Sequence, residues 1–73
     1  MDLRQLEAFA AVMSAGSITG AARLLGRSQP ALTRLIQDLE NSLGFSLLHR
    51  SGPRVTTTEQ GLRFYQEVEP VLA

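Results

Sequence analysis

Apolar residues recur at helical spacing from the start of the chain, with Leu3, Leu6, Phe9, Ala10 and Met13 sharing one face of a first helix. Asp2 is placed to cap it, Gln5 three residues on is the reciprocal partner of a capping box, and Gly16 supplies the stop. Ser17 caps a short second helix running roughly from Ile18 to Leu25, whose compact apolar side is Ala21, Ala22, Leu24 and Leu25 and which Gly26 closes. Only Arg27 separates that glycine from Ser28, the next N-cap. Pro30 then falls in the first turn of a third helix, where a missing amide proton is harmless. Along that helix Leu32, Leu35, Ile36, Leu39 and Leu43 form one apolar stripe, and Gln29, Pro30, Thr33, Arg34 and Gln37 gather on a different face. Gly44 ends it.

Beyond Gly44 the pattern changes. Phe45 to Arg50 and Arg54 to Thr57 are two short segments around the turn cluster Ser51-Gly52-Pro53, with β-branched residues in the second arm, and they predict a small β-hairpin, or wing. Thr58 can cap a last helix that carries Glu59 at the positive end of its dipole and the apolar residues Leu62, Phe64, Tyr65, Val68, Val71 and Leu72. The fold expected is mainly α: a winged helix-turn-helix with a three-helix core, a hairpin wing and a C-terminal helix. Residues 1–57 form the winged unit and residues 58–73 begin a linker or dimerisation helix. Pro70 removes a backbone donor inside that helix, at a cost of about 3 kcal/mol in a helix interior, and predicts a kink or a stop there.

Seventy-three residues make one domain, near the lower limit for a core without covalent or metal staples. With no cysteine there is neither a disulfide nor a thiolate zinc site, and a reducing cytoplasm is the natural compartment. The single histidine, His49, belongs to no ligand cluster and is assigned no chemistry, so no metal is expected. The opening MDLRQLEAF lacks the features of a signal peptide, and no apolar run is long enough to span a bilayer. A soluble, cytoplasmic protein without membrane contact is expected. No serine has a base motif around it and no glycine-rich loop could cradle phosphates, which argues against an enzyme and against a cofactor in this domain.

Net charge is zero, which by itself speaks against a phosphate-binding surface. The distribution reverses that reading. From Arg23 to Thr58 the chain carries Arg23, Arg27, Arg34, Arg50 and Arg54 against Asp38 and Glu40, and both flanks are net acidic. All seven cations are arginine, which suits bidentate phosphate or guanine contacts and equally fits the bias of a GC-rich genome.

Two helices joined by a turn as short as Gly26-Arg27-Ser28 must cross steeply, and Ala22 is the small residue needed where the second passes over the first. Many α-hairpins share that pattern, so the outward face of the third helix has to supply the specific signal. Gln29 can pair bidentately with adenine, Thr33 offers a hydroxyl and a methyl one turn later, and Arg34 can reach a guanine edge or a phosphate. Glu40 and Asn41 lie on roughly the same side farther along, where a carboxylate repels phosphate, so the helix should enter a groove by its amino terminus. Arg50 and Arg54 flank a glycine-proline tip that can lie on the sugar-phosphate backbone. Arg50 suits a salt bridge to a helix carboxylate equally well; at Arg54 the phosphate contact leads.

The stretches LRQLEAF, GSITGAARLLGRSQPALTRLIQDLENSLGFSLLHR and TEQG resemble the amino-terminal domain of LysR-type transcriptional regulators across essentially the whole chain. The resemblance implies that Gln29, Pro30, Thr33 and Arg34 face DNA and that Arg50 supports backbone contact. Arg27 stands where the family usually has a small apolar or β-branched residue, so it can snorkel outward and add a phosphate contact beside Ser28. Thr33 replaces the usual serine. Full-length relatives continue through a long linker helix into a periplasmic-binding-protein-like domain for a small-molecule effector, which this chain is expected to lack. They work as tetramers, with paired reading heads on interrupted palindromes and linker helices as the pairing surface, here assigned to Leu62, Tyr65, Val68 and Leu72; the alternative is that this apolar surface covers the domain's own core. Sequence-specific binding of double-stranded DNA is therefore the function expected, and a winged-helix module for protein contacts is the alternative.

Overall fold

In the computed structural model, which describes residues 1–49 and 55–72, three helices begin on a side-chain cap and end on a glycine. They are α1 (Leu3–Ala15), α2 (Ile18–Leu25) and α3 (Gln29–Leu43). At α1 the capping box is complete: the Gln5 amide donates to Asp2 Oδ1 at 3.0 Å and the Asp2 amide to Gln5 Oε1 at 3.2 Å. The Gln5 amide and, secondarily, the Arg4 guanidinium hold the Asp2 carboxyl below its ordinary pKa. Ser17 Oγ accepts from the Gly20 amide at 3.0 Å and Ser28 Oγ from the Ala31 amide at 3.2 Å.

The turn between α2 and α3 needs a left-handed residue. Gly26 supplies it at φ 63°, and the Arg27 amide then reaches back to the Ala22 carbonyl at 2.9 Å. That bond closes the end of α2 and aims the chain directly into the Ser28 cap.

After α3 the chain forms a two-stranded antiparallel hairpin, β1 (Leu48–His49) and β2 (Thr56–Thr57), in the register Leu48↔Thr57 and His49↔Thr56. Among the described residues, Phe45 to Leu47 and Val55 lie outside the paired segments, although the sequence pattern places them in the arms. The hairpin tip, with Arg50, Ser51, Gly52, Pro53 and Arg54, lies outside the described residues. A fourth helix, α4 (Glu59–Leu72), follows. Thr58 caps it from a buried position: its hydroxyl accepts from the Gly61 amide at 2.9 Å and donates to the Ser46 carbonyl at 2.6 Å. One side chain thus ties the start of α4 to the lead-in of β1.

The core lies between α1, α2 and α3, with Phe9, Leu32, Ile36, Leu39 and Leu47 fully buried at its centre. α4 docks on the same core. Phe64 and Tyr65 place their ring centroids 5.9 and 6.0 Å from that of Phe9, and Val68 is buried. The boundary expected at residues 57/58 is therefore a change of element with the packing continuous across it. α4 also runs through Pro70 to Leu72, so the helix does not stop at the proline. Pro70 and Gln66, one turn before it, are both exposed, so water can satisfy the carbonyl that lacks its helical partner.

Candidate nucleic-acid interface

Ala21 and Ala22 are buried on α2, and their small side chains let α3 cross close over it while Leu32 and Ile36 anchor α3 from behind. The polar residues of α3 are thereby turned outward. Gln29, Pro30, Arg34 and Gln37 are exposed and Thr33 is half-buried, so these residues share one accessible surface that runs from the amino terminus of α3 to just past its middle. Arg27 and Ser28 precede them, also exposed. The Ser28 oxygen is engaged as the helix cap, which leaves its hydroxyl proton able to donate to a phosphate. The positive end of the α3 dipole points the same way.

Charge on this surface is uneven. Among the described residues Arg23 and Arg27 form no ion pair, whereas the Arg34 Nε lies 3.4 Å from Asp38 Oδ1, one turn along the helix. Nothing in the hydrophobic periodicity separates those two situations, although the spacing of four residues is a visible hint.

Glu40 departs from expectation. Its carboxylate does not stand on the groove-facing side as a repelling charge; Oε2 accepts the Leu47 amide at 2.7 Å and the Leu48 amide at 3.3 Å. The far end of α3 thus carries the residue that holds the base of the wing. Contacts across seven and eight residues in a segment without periodicity leave no trace in the sequence. Replacing Glu40 by Ala strands two partly buried amides, and a loss of about 1 to 3 kcal/mol in unfolding free energy is expected in a urea titration. A loss within error of zero would show that water serves those amides as well.

Arg50 and Arg54 fall in the segment between His49 and Val55, outside the described residues. The pairing residues assigned on α4 divide by burial. Val68 is only 6% exposed and covers its own core, which removes it from any surface for a partner. Tyr65 and Leu72 are half-buried and Leu62 is exposed. The Tyr65 hydroxyl donates to Glu69 Oε2 at 3.0 Å, and that bond raises the tyrosine's pKa. Val71, 74% exposed, follows Leu62 by two and a half helical turns and so faces the opposite side of α4, and the two do not form one stripe. Among the described residues no cluster of three or more His, Cys, Asp or Glu side chains could hold a metal, and no helix is long and apolar enough to cross a membrane.

Fold and site together define a winged helix-turn-helix protein. The chain belongs to the bacterial regulatory helix-turn-helix proteins of the lysR family, whose pattern matches residues 3–62. It is 49% identical over 65 residues to the regulatory protein NocR of Agrobacterium fabrum, covering 89% of this chain and 22% of that protein. The fold matches a CbnR DNA-binding domain in complex with DNA at a TM-score of 0.93 and 42% identity, covering 99% of this chain and 83% of that one. It matches the BenM DNA-binding domain bound to benA site 1 DNA equally well, at a TM-score of 0.93 and 46% identity over 99% and 84% of the two chains. The chain spans about a fifth of the length of the curated relatives it matches.

Proposed function

We propose that the chain is the sequence-specific, double-stranded DNA-binding head of a LysR-type transcriptional regulator. The observation that carries this reading is the division of α3: Leu32, Ile36 and Leu39 are buried while Gln29, Pro30 and Arg34 are presented at its leading end. A major groove admits such a helix, and base edges there are read by paired donors and acceptors of this kind. Gln29, Pro30, Thr33 and Arg34 read bases. Ser28 and Arg27 hold the backbone at the helix entry, with Arg50 and Arg54 of the wing gripping it on the flank. The similarity to domains solved on DNA supports the same reading.

Two copies bind an interrupted palindrome, pairing through α4 by Leu62 and the open edges of Tyr65 and Leu72. The full-length protein is a cytoplasmic tetramer whose small-molecule effector binds in a further C-terminal domain. The present domain catalyses no reaction and uses no cofactor.

The test is a DNA titration at several salt concentrations. Affinity should fall steeply and linearly on a log-log plot, and Arg54→Ala should reduce the slope by about one. Binding that is absent or indifferent to salt would favour the protein-contact module instead. Enrichment from a random DNA pool should further recover paired half-sites at a fixed spacing.

A further inference from the structure

Arg34 and Asp38 form an ion pair on α3, and its geometry bears on what the arginine can recognise. The contact is made by Nε, 3.4 Å from Asp38 Oδ1, with the Arg34 side chain 76% exposed. A guanidinium offers five donors in a planar fork. With Nε–H on the carboxylate, the donors that remain are those on the two terminal nitrogens. Those two match the O6 and N7 acceptors that guanine shows in the major groove.

The order of the pair is not the one that best stabilises a helix. An acidic residue before a basic one is the favourable order at this spacing, because it agrees with the helix dipole. Glu59 and Arg63 on α4 follow that order, at 3.2 Å. Arg34 and Asp38 run the other way. An acid is also the least suitable residue near phosphates unless it directs a cation. Without a tether, the long arginine side chain has many rotamers and can meet a phosphate as easily as a base edge.

We infer that Asp38 is a specificity-determining residue: it holds Arg34 by Nε so that the terminal fork reads a guanine end-on, and it touches no DNA itself. The inference rests on α3 being the recognition helix.

Its test uses the DNA site enriched by the protein, the same site with each G·C pair changed in turn to A·T, and an unrelated duplex. Wild-type protein should show a guanine position whose preference is abolished by Arg34→Ala. Asp38→Ala should weaken that preference by about 1.5-fold to fivefold, the range of an exposed pair, while binding to the unrelated duplex holds or tightens. Asp38→Asn removes the same charge and keeps an acceptor for Nε, so it should retain more of the preference. In the Arg34→Ala background Asp38→Ala should leave base preference unchanged, which is the coupling a double-mutant cycle measures.

A uniform change on every duplex would reduce Asp38 to a repelling charge and overturn the inference. So would equal effects of Ala and Asn, or an effect on preference that survives without Arg34. Failure of the wild-type protein to prefer any sequence would instead overturn the recognition reading, and this inference with it.

Discussion

Phe9→Ala is expected to remove most of the domain's stability. Phe9 is 0% exposed and stands where α4 meets α1, with Phe64 tilted against one side of its ring and Tyr65 edge-on to another. Truncating a buried phenylalanine costs about 3 to 5 kcal/mol, from lost transfer energy and from the cavity that remains. A domain of this size has roughly 4 to 11 kcal/mol in all. Phe64 and Tyr65 would lose their shared partner, so the damage falls first on the docking of α4. Urea unfolding followed by circular dichroism should show the midpoint lowered by about 3 M, for a slope near 1 kcal/mol per M, or no folded baseline at all. A midpoint within about 0.5 M of wild type would mean that α4 does not depend on Phe9.

Gly61→Ala should come next in severity although it adds a single methyl group. The first turn of α4 lies directly on the backbone at the start of β1, and a Cβ at residue 61 would collide with the Leu47 carbonyl oxygen. It would also stand 2.8 Å from the Thr57 Cγ2 and 3.0 Å from the Leu47 carbonyl carbon. Two of these obstacles are main chain and the third is a short β-branched side chain, so none can swing aside. Relief requires α4 to move off the strand, which pulls on the Thr58 amide bonded to the same Leu47 oxygen at 3.0 Å. Overpacking of this kind costs about 3 kcal/mol. Gly20→Ala is the control, because there the added Cβ comes no nearer than 3.0 Å to the Ala15 Cβ and the Ser17 Oγ and 3.9 Å to main chain, the Ala15 carbonyl oxygen. Thermal unfolding of both variants should rank Gly61→Ala well below Gly20→Ala, and equal melting temperatures would contradict the close approach.

The parts of this molecule that were legible in the sequence are those decided by local chemistry. Asp2, Ser17 and Ser28 cap helices because a short side-chain oxygen reaches the amide three residues on, whatever the rest of the chain does. Gly26 ends α2 because glycine, lacking a Cβ, adopts the left-handed conformation that the turn needs without a steric penalty. The division of α3 into an apolar stripe and a polar face followed from periodicity alone, and that division is the candidate site.

Other features depend on what lies across from a residue, which periodicity does not report. The apolar face of α4 could be read, but its cover could not: Val68 and much of Tyr65 serve this chain's own core. Leu24 sits within an apolar-looking segment of α2 and is 63% exposed. Glu40 shares a helical bearing with Gln29 and Thr33, yet its carboxylate is drawn to amides supplied by the next element. The lost donor of Pro70 is visible in the sequence, but its place on the exposed side of α4, which makes that loss tolerable, is not.

The claim that α3 reads base edges is tested most directly at Gln29, exposed at the first position of the helix and outside the core. Gln29→Ala should bind the enriched site more weakly by about 1 to 3 kcal/mol and bind an unrelated duplex as wild type does, both measured at one salt concentration. Equal losses on the two duplexes, or no loss on the enriched site, would contradict the recognition role assigned to this face.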